Sequence, residues 1–328
     1  MKKILLVAAL AAISTSARAQ VTIKLGTLAP QGSTWHDLLK ELGQRWEQAS
    51  GGQVKLRIYA GGTQGSEGDM VRKMAVGQLQ AAAISNVGMH DVVAEPQALT
   101  VPFLFQDEPQ MKCAFRKVQP RIEQTLAQKG YVAVQWSTVG AIHLYCKQPR
   151  RTPAEMGNAR VWVWEGDPKS VEAFRLAGLS PVVLSSADIV PSIQTGMIDC
   201  VPNVPLYMLT TRLFERAPHM MDTPWAYMIG ATLVKKDTWE KIPADVRPKL
   251  VAIAQELGGR IDTEVRRLNQ DAVSAMQKQG LKLVPGDAAA WRTAMEKALP
   301  VVRGGVVPAD FYDQVVKARE ACKAEAAK

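Results

Sequence analysis

The feature that most limits the folds open to this chain is a repeated alternation of short strand-like runs with segments of helical length. Val21, Ile23 and Leu25 alternate with polar residues up to Gly26, the period of two that sets one face of a strand on a core. The loop APQGS follows, and Ser33 stands where a helix cap would, ahead of Trp35, Leu38, Leu39, Leu42 and Trp46 at helical spacing. SGGQ ends that helix, and Val54 to Tyr59 alternates again. A glycine-rich loop, AGGTQGSEGD, leads into a helix carrying Met70, Val71 and Met74, and LQAAAIS is a third strand ending at Ser85 and Asn86. Strands joined by helices favour a parallel sheet, because a parallel pair needs a long crossover rather than a tight turn.

A second series begins near Gly140. AIHLYCK reads as a strand, TPAEM as a short turn or helix, and ARVWVW as the next strand. Pro168 to Leu176 is a helix, SPVVLS a strand, Ala187 to Thr195 a helix capped by Ser185 or Ser186, and MIDCV a strand ending in PNVP. AYMIGATLVKK returns as a strand, amphipathic helices cover Pro243 to Gln279, and the tail from Ala288 is helical and charged. The expected architecture is α/β in two lobes. Residues 20–140 and about 226–266 form the first lobe, and residues 141–225 and about 267–328 the second.

The chain begins MKKILLVAALAAISTSARAQ. Lys2 and Lys3 are a positive n-region, Ile4 to Ile13 a short apolar run, and Ala17-Arg18-Ala19 an A-x-A cleavage site. The apolar run is too short to span a bilayer as a mature helix. Export to the periplasm with cleavage after Ala19 is expected. Net charge is +9, and Lys2, Lys3 and Arg18 leave with the signal. The other cations are spread along helices, which argues against a nucleic-acid partner. Cys113, Cys146, Cys200 and Cys322 lie far apart with no C-x-x-C, so zinc and thioredoxin-like chemistry are not expected. Export permits disulfides, and the spacing leaves all three complete pairings open.

Catalytic motifs are missing: there is no H-E-x-x-H, no P-loop and no G-x-G-x-x-G. QGSEG around Ser66 departs from the nucleophile elbow because Gln64 takes the first glycine position, and a helix cap explains Ser66 better. His36, His90, His143 and His219 show no metal-ligand spacing. A secreted hydrolase built on Ser66 or His143 is the alternative from another class. The expectation is that the chain is no enzyme and takes no cofactor.

Within GNARVWVWEGDP, strand alternation puts Arg160, Trp162 and Trp164 on one face and Val161 and Val163 on the other, with a Gly166-Asp167-Pro168 turn beyond. That face joins a cation to two indoles. The N-terminal block from IKLGTLAPQGSTW to LQAAAIS resembles the first half of the solute-binding proteins of TRAP transporters, the DctP-type dicarboxylate-binding family. NARVWVWEGDP, AGLSPVVLSSADIVPSIQTGMIDCVPN and LVKKDTWEKIP resemble that family's second lobe and return strand. The resemblance implies a periplasmic binding protein whose hinged lobes close on a ligand cleft, acting as a monomer that delivers an organic acid to membrane subunits.

The same resemblance places the family's carboxylate-clamping arginine at Arg160, a polar ligand contact at Asn203, and first-lobe cleft positions at Glu67, Ala29 to Ser33, Ser85 and Asn86. A guanidinium fork suits a carboxylate because it pairs bidentately. Many family members carry a second arginine where this chain has Ala141, Ile142 and His143. Trp162, Trp164, Tyr207 and Trp225 fall near segments that the family sets around the cleft. The ligand expected is therefore a monocarboxylate with an apolar or aromatic body, the alternative in the same fold being a larger hydrophobic or lipid-like molecule.

Overall fold

Ten strands form the frame of the computed structural model, which describes residues 20–164 and 168–326. The signal segment and the turn after Trp164 lie outside the described residues. The strands are β1 (Val21–Thr27), β2 (Val54–Tyr59), β3 (Ala81–Ser85), β4 (Tyr131–Cys146), β5 (Arg160–Trp164), β6 (Ser180–Leu184), β7 (Cys200–Asn203), β8 (His219–Met221), β9 (Ala226–Lys235) and β10 (Lys282–Val284). Their order is β2-β1-β3-β9-β4-β7-β5-β6, with β8 joining β4 to β10. β1 pairs in parallel with β2 and β3, and β5 pairs in parallel with β6 and β7. Two parallel units thus flank a central antiparallel pair.

That pair links the lobes. β4 runs beside β9 from Tyr131 to Ile142, then beside β7 from His143 to Cys146. The sequence reading began this strand near residue 141. It begins ten residues earlier, because YVAVQWSTVG continues the strand on the first lobe. The register slips between Ala133 and Gln135 and again between Thr138 and Gly140, the bulges that let a strand turn from one sheet into another. At Gly140 φ is +132°, and a Cβ would lie 2.6 Å from the amide nitrogen of Asn269. Only glycine fits there.

The helix Arg247–Lys278 crosses this junction and buries Leu250, Ala254, Leu257, Ile261, Val265, Ala272 and Met276 along one stripe. Its first half packs with Leu38, Leu42 and Trp46 of the helix Thr34–Ala49 in a first-lobe core, and Met276 lies in a second-lobe core with Tyr145, Val201 and Met208. Arg45 pairs with Glu256 through two hydrogen bonds of 2.7 and 2.6 Å on the same surface. Helix starts follow the sequence signals. Ser33 accepts from the backbone N–H of His36, and Ser66 forms a capping box with Asp69.

The four cysteines form Cys113–Cys322 and Cys146–Cys200. The second bond joins directly opposed residues of β4 and β7, a proximity that sequence separation could not show. The first bond sets the C-terminal tail against the helix Glu108–Gln128. The C-terminal helix Ala309–Ala326 is tied to the helix Glu108–Gln128, and Phe311, Val315 and Cys322 share a core with first-lobe residues such as Met70, Ile84 and Leu233. The tail packs with the first lobe because its apolar residues complete that core. Removing the Cys146–Cys200 crosslink as a double alanine variant is predicted to cost roughly 2–4 kcal/mol, the entropy of a loop of this size being released to the unfolded chain. Denaturant unfolding measures it. Non-reducing peptide mapping should recover 113–322 and 146–200 and no other pairing.

Candidate functional site

In open α/β sheets ligands bind in the crevice outside the carboxyl ends of parallel strands. The two parallel units bring such ends together at one place. β3 ends at Ser85 and runs into the short helix Asn86–Met89, whose C-cap is His90. β5 ends at Trp164. The imidazole of His90 stands edge-on to the indole of Trp164, with ring centroids 6.1 Å apart and planes at 87°. This is a contact between the lobes.

On the first-lobe side Glu67 organises the backbone. Its Oε1 accepts from the Ser85 N–H at 2.8 Å, and its Oε2 accepts from the Ser85 hydroxyl at 2.6 Å and the Gly88 N–H at 3.0 Å. A Cβ at Gly88 would lie 2.5 Å from the Glu67 Cβ, so glycine is required for the carboxylate to reach this turn. Burial pushes the Glu67 carboxyl above its ordinary pKa, opposed by the three donors. Ser85 Oγ also caps the short helix through the Val87 N–H. Asn86 is only 3% exposed, and its amide donates to Gln97 Oε1 at 3.2 Å. Three of the expected site residues, Glu67, Ser85 and Asn86, are therefore neighbours.

The second-lobe residues separate into two groups. Trp164 lies at the junction, and Asn203 and Tyr207 follow the carboxyl end of β7. Asn203 Oδ1 accepts from the Val204 N–H at 2.9 Å. Burial raises the Tyr207 pKa above its ordinary value. Trp162 is half-buried, its indole N–H donating to the Leu184 carbonyl at 3.1 Å while the ring packs on the core around Tyr145 and Val201.

Trp225 and Arg160 depart from expectation. Trp225 is 2% exposed and packs against Phe103, Phe174 and Trp291 with centroid distances of 5.5, 6.0 and 5.0 Å. It packs as a core residue. Arg160 begins β5, four residues before Trp164, or roughly 13 Å away along an extended strand. Its Nε donates to Asp199 Oδ2 at 3.0 Å and its Nη2 to Asp199 Oδ1 at 3.3 Å. The fork expected to clamp a ligand is thus occupied by a carboxylate of the chain itself, at the opposite end of the strand. The alternation was read correctly, but a shared face does not mean a shared end.

His90, Asp262, Asn269 and Phe103 were not singled out as site or junction residues. The spacing of His90 four residues after Asn86 was the only available signal for it, and it means little until Asn86 is known to open a helix. Two grooves lie elsewhere. One of about 760 Å³ is lined by Val21, Gln53, Gln80 and Lys235, and one of about 360 Å³ by Lys147, Ala159, Asp199 and Cys200. Both open at the amino ends of the parallel strands, away from His90 and Trp164. Ser66 donates to Asp69 Oδ2 at 2.8 Å while capping its helix, and Asp69 is held down at a pKa of about 2 by that hydroxyl, the Ser66 N–H and Arg72. His143 contacts the Met221 carbonyl at 2.9 Å, and burial lowers its pKa. Neither residue is arranged as a nucleophile with its base.

The model for bacterial extracellular solute-binding proteins, family 7, the DctP family of TRAP transporters, matches residues 25–302. The chain belongs to this family. Among relatives of the same family 7 chain, the 2,3-diketo-L-gulonate-binding periplasmic protein YiaO of Escherichia coli is 23% identical over 282 residues, covering 85% of this chain and 86% of its own. A TRAP periplasmic solute-binding protein from Pseudomonas putida with bound D-glucuronate superposes with a TM-score of 0.82 at 20% identity, covering 92% and 97% of the two chains. Another from Desulfovibrio salexigens, with bound orotic acid, gives 0.83 at 17% identity over 93% and 99%. These likenesses show the two-lobed fold of the family.

Glu67 gives this family 7 protein a testable pH dependence. A folded-state pKa above the unfolded value means that the native state binds more protons between the two. The contribution is full below the ordinary glutamate range and is lost as pH rises through the elevated value. Wild-type stability is predicted to fall over that interval, and Glu67→Gln is predicted to flatten the slope. Urea midpoints measured from pH 4 to 8 read it directly.

Proposed function

We propose that the mature chain is the periplasmic, monomeric solute-binding subunit of a TRAP transporter, exported with cleavage after Ala19. It takes up an organic acid between its lobes and passes it to the membrane subunits. The observation that carries this reading is the meeting of the carboxyl ends of two parallel units, where a polar first-lobe cluster stands against Trp164 of the second lobe. Relatives named for 2,3-diketo-L-gulonate, and neighbours holding D-glucuronate and orotic acid, support an acid carried on a compact or cyclic body.

The two sides of the cleft differ in polarity. Asn203 and Tyr207 offer donors from the second lobe, suited to a carboxylate. Trp164 offers an indole face for the flat or apolar side of the ligand, so polar groups fix orientation and ring contact supplies much of the affinity. Arg160 has no part in this arrangement.

Calorimetric titration with D-glucuronate, D-galacturonate, orotate and an aromatic monocarboxylate tests the proposal. At least one ring-bearing acid should bind. Trp164→Ala is predicted to weaken it by roughly 5- to 30-fold, the loss of about 1–2 kcal/mol of ring contact. Arg160→Ala should leave affinity within about twofold, as a surface substitution remote from the ligand does. A large affinity loss in Arg160→Ala with Trp164→Ala unaffected would reverse the assignment.

A further inference from the structure

Among the described residues, two of the buried side-chain polar atoms without a protein partner lie close in sequence, one in the short helix Asn86–Met89 and one at its C-cap, whose ring meets Trp164. They are Asn86 Oδ1 and His90 Nδ1. The residues are four apart, which places them on one side of a helical turn. The orientation of Asn86 follows from its neighbours. Gln97 Nε2 donates to the Asn86 carbonyl at 2.8 Å, so Gln97 Oε1 is the end that receives Asn86 Nδ2 at 3.2 Å. Asn86 Oδ1 therefore points away from Gln97 as an acceptor without a donor. Buried polar atoms in folded proteins are nearly always satisfied, and an orphan costs roughly 1–3 kcal/mol. Two orphans one turn apart, beside an inter-lobe ring contact, are explained together by a ligand that supplies what they lack.

We propose that Asn86 and His90 form a donor-reading subsite that selects acids bearing a hydroxyl or N–H on the body, opposite the carboxylate. This rests on the cleft being the ligand site. Asn86 Oδ1 accepts the ligand's O–H or N–H, and His90 Nδ1 meets the same or the adjacent group, accepting as the Nε2–H tautomer or donating to a hydroxyl oxygen as the other. Trp164 covers the contact and excludes water from it. His90 is then a specificity-determining residue: an analogue lacking the hydroxyl leaves both atoms unpaired and is rejected. The ligand class is hydroxylated or N–H-bearing cyclic acids, which narrows the apolar-body expectation to one face of the ligand.

The test compares D-glucuronate and orotate with cyclohexanecarboxylate on wild-type protein and on His90→Phe, which keeps a ring against Trp164 but removes the nitrogen. Wild type should bind a donor-bearing acid at least tenfold more tightly than cyclohexanecarboxylate. His90→Phe should lose about tenfold for that acid and nothing for cyclohexanecarboxylate. Gln97→Leu, which releases Asn86 without touching the ligand, should weaken donor-bearing acids alone in the same way. Equal effects on both ligand types, or a wild-type preference for cyclohexanecarboxylate, would overturn the subsite and leave the binding function standing. Failure of every carboxylate to bind would overturn both.

Discussion

The structure depends on one strand changing its partner. β4 leaves β9 after Ile142 and joins β7 from His143, and the bulged backbone just before Gly140 is held by the long helix. Asn269 donates to the Val139 carbonyl at 3.2 Å and to its own Val265 carbonyl at 3.0 Å, while its Oδ1 accepts from the Leu206 N–H at 3.0 Å. About two turns earlier, Asp262 accepts from the Thr138 N–H and hydroxyl at 2.5 and 3.0 Å and pairs with Lys112 at 3.0 Å. The helix thus holds the strand at the bulge, through Thr138 and Val139, and reaches the second lobe through the Leu206 N–H. With the β9–β4–β7 ladders, that hold sets how the two parallel units sit across the bend.

Much of this frame was legible because it is written locally. Ser33 and Ser66 announced their helices, and Val21, Ile23 and Leu25 their strand, since caps and periodicity are short-range properties. Arg160, Trp162 and Trp164 were read onto one strand face, and Val161 does face a different core from Trp162. What the pattern lacked was depth along the strand, so the cation was assigned to the ligand end when Asp199 holds it at the other. Trp225 failed for a related reason. A tryptophan beside a cleft and one beneath it have the same local sequence, and only the packing of Phe103, Phe174 and Trp291 distinguishes them. The packing of the tail was not legible because the bond between Cys113 and Cys322 spans 209 residues.

The candidate site reads as an arrangement of opposite polarities. Glu67 uses its carboxylate to shape the Ser85–Gly88 turn, and in the proposed subsite the Asn86 and His90 side chains there meet the ligand's hydroxyl or N–H. In the proposed function the second lobe contributes Trp164, the Asn203 amide and the Tyr207 hydroxyl. A molecule with a carboxylate at one end and hydroxyl or N–H groups at the other satisfies both sides only when both lobes touch it. Recognition and lobe closure are then the same event, as in hinge-closing binding proteins.

Hydrogen–deuterium exchange with and without a saturating cyclic acid tests this most directly, because it reports both lobes in one experiment. The account predicts slower exchange in residues 85–90 of the first lobe and 203–207 of the second together, with residues 146–160 unchanged. Protection confined to the Lys147–Arg160 end of the second lobe, with residues 85–90 unaffected, would contradict it.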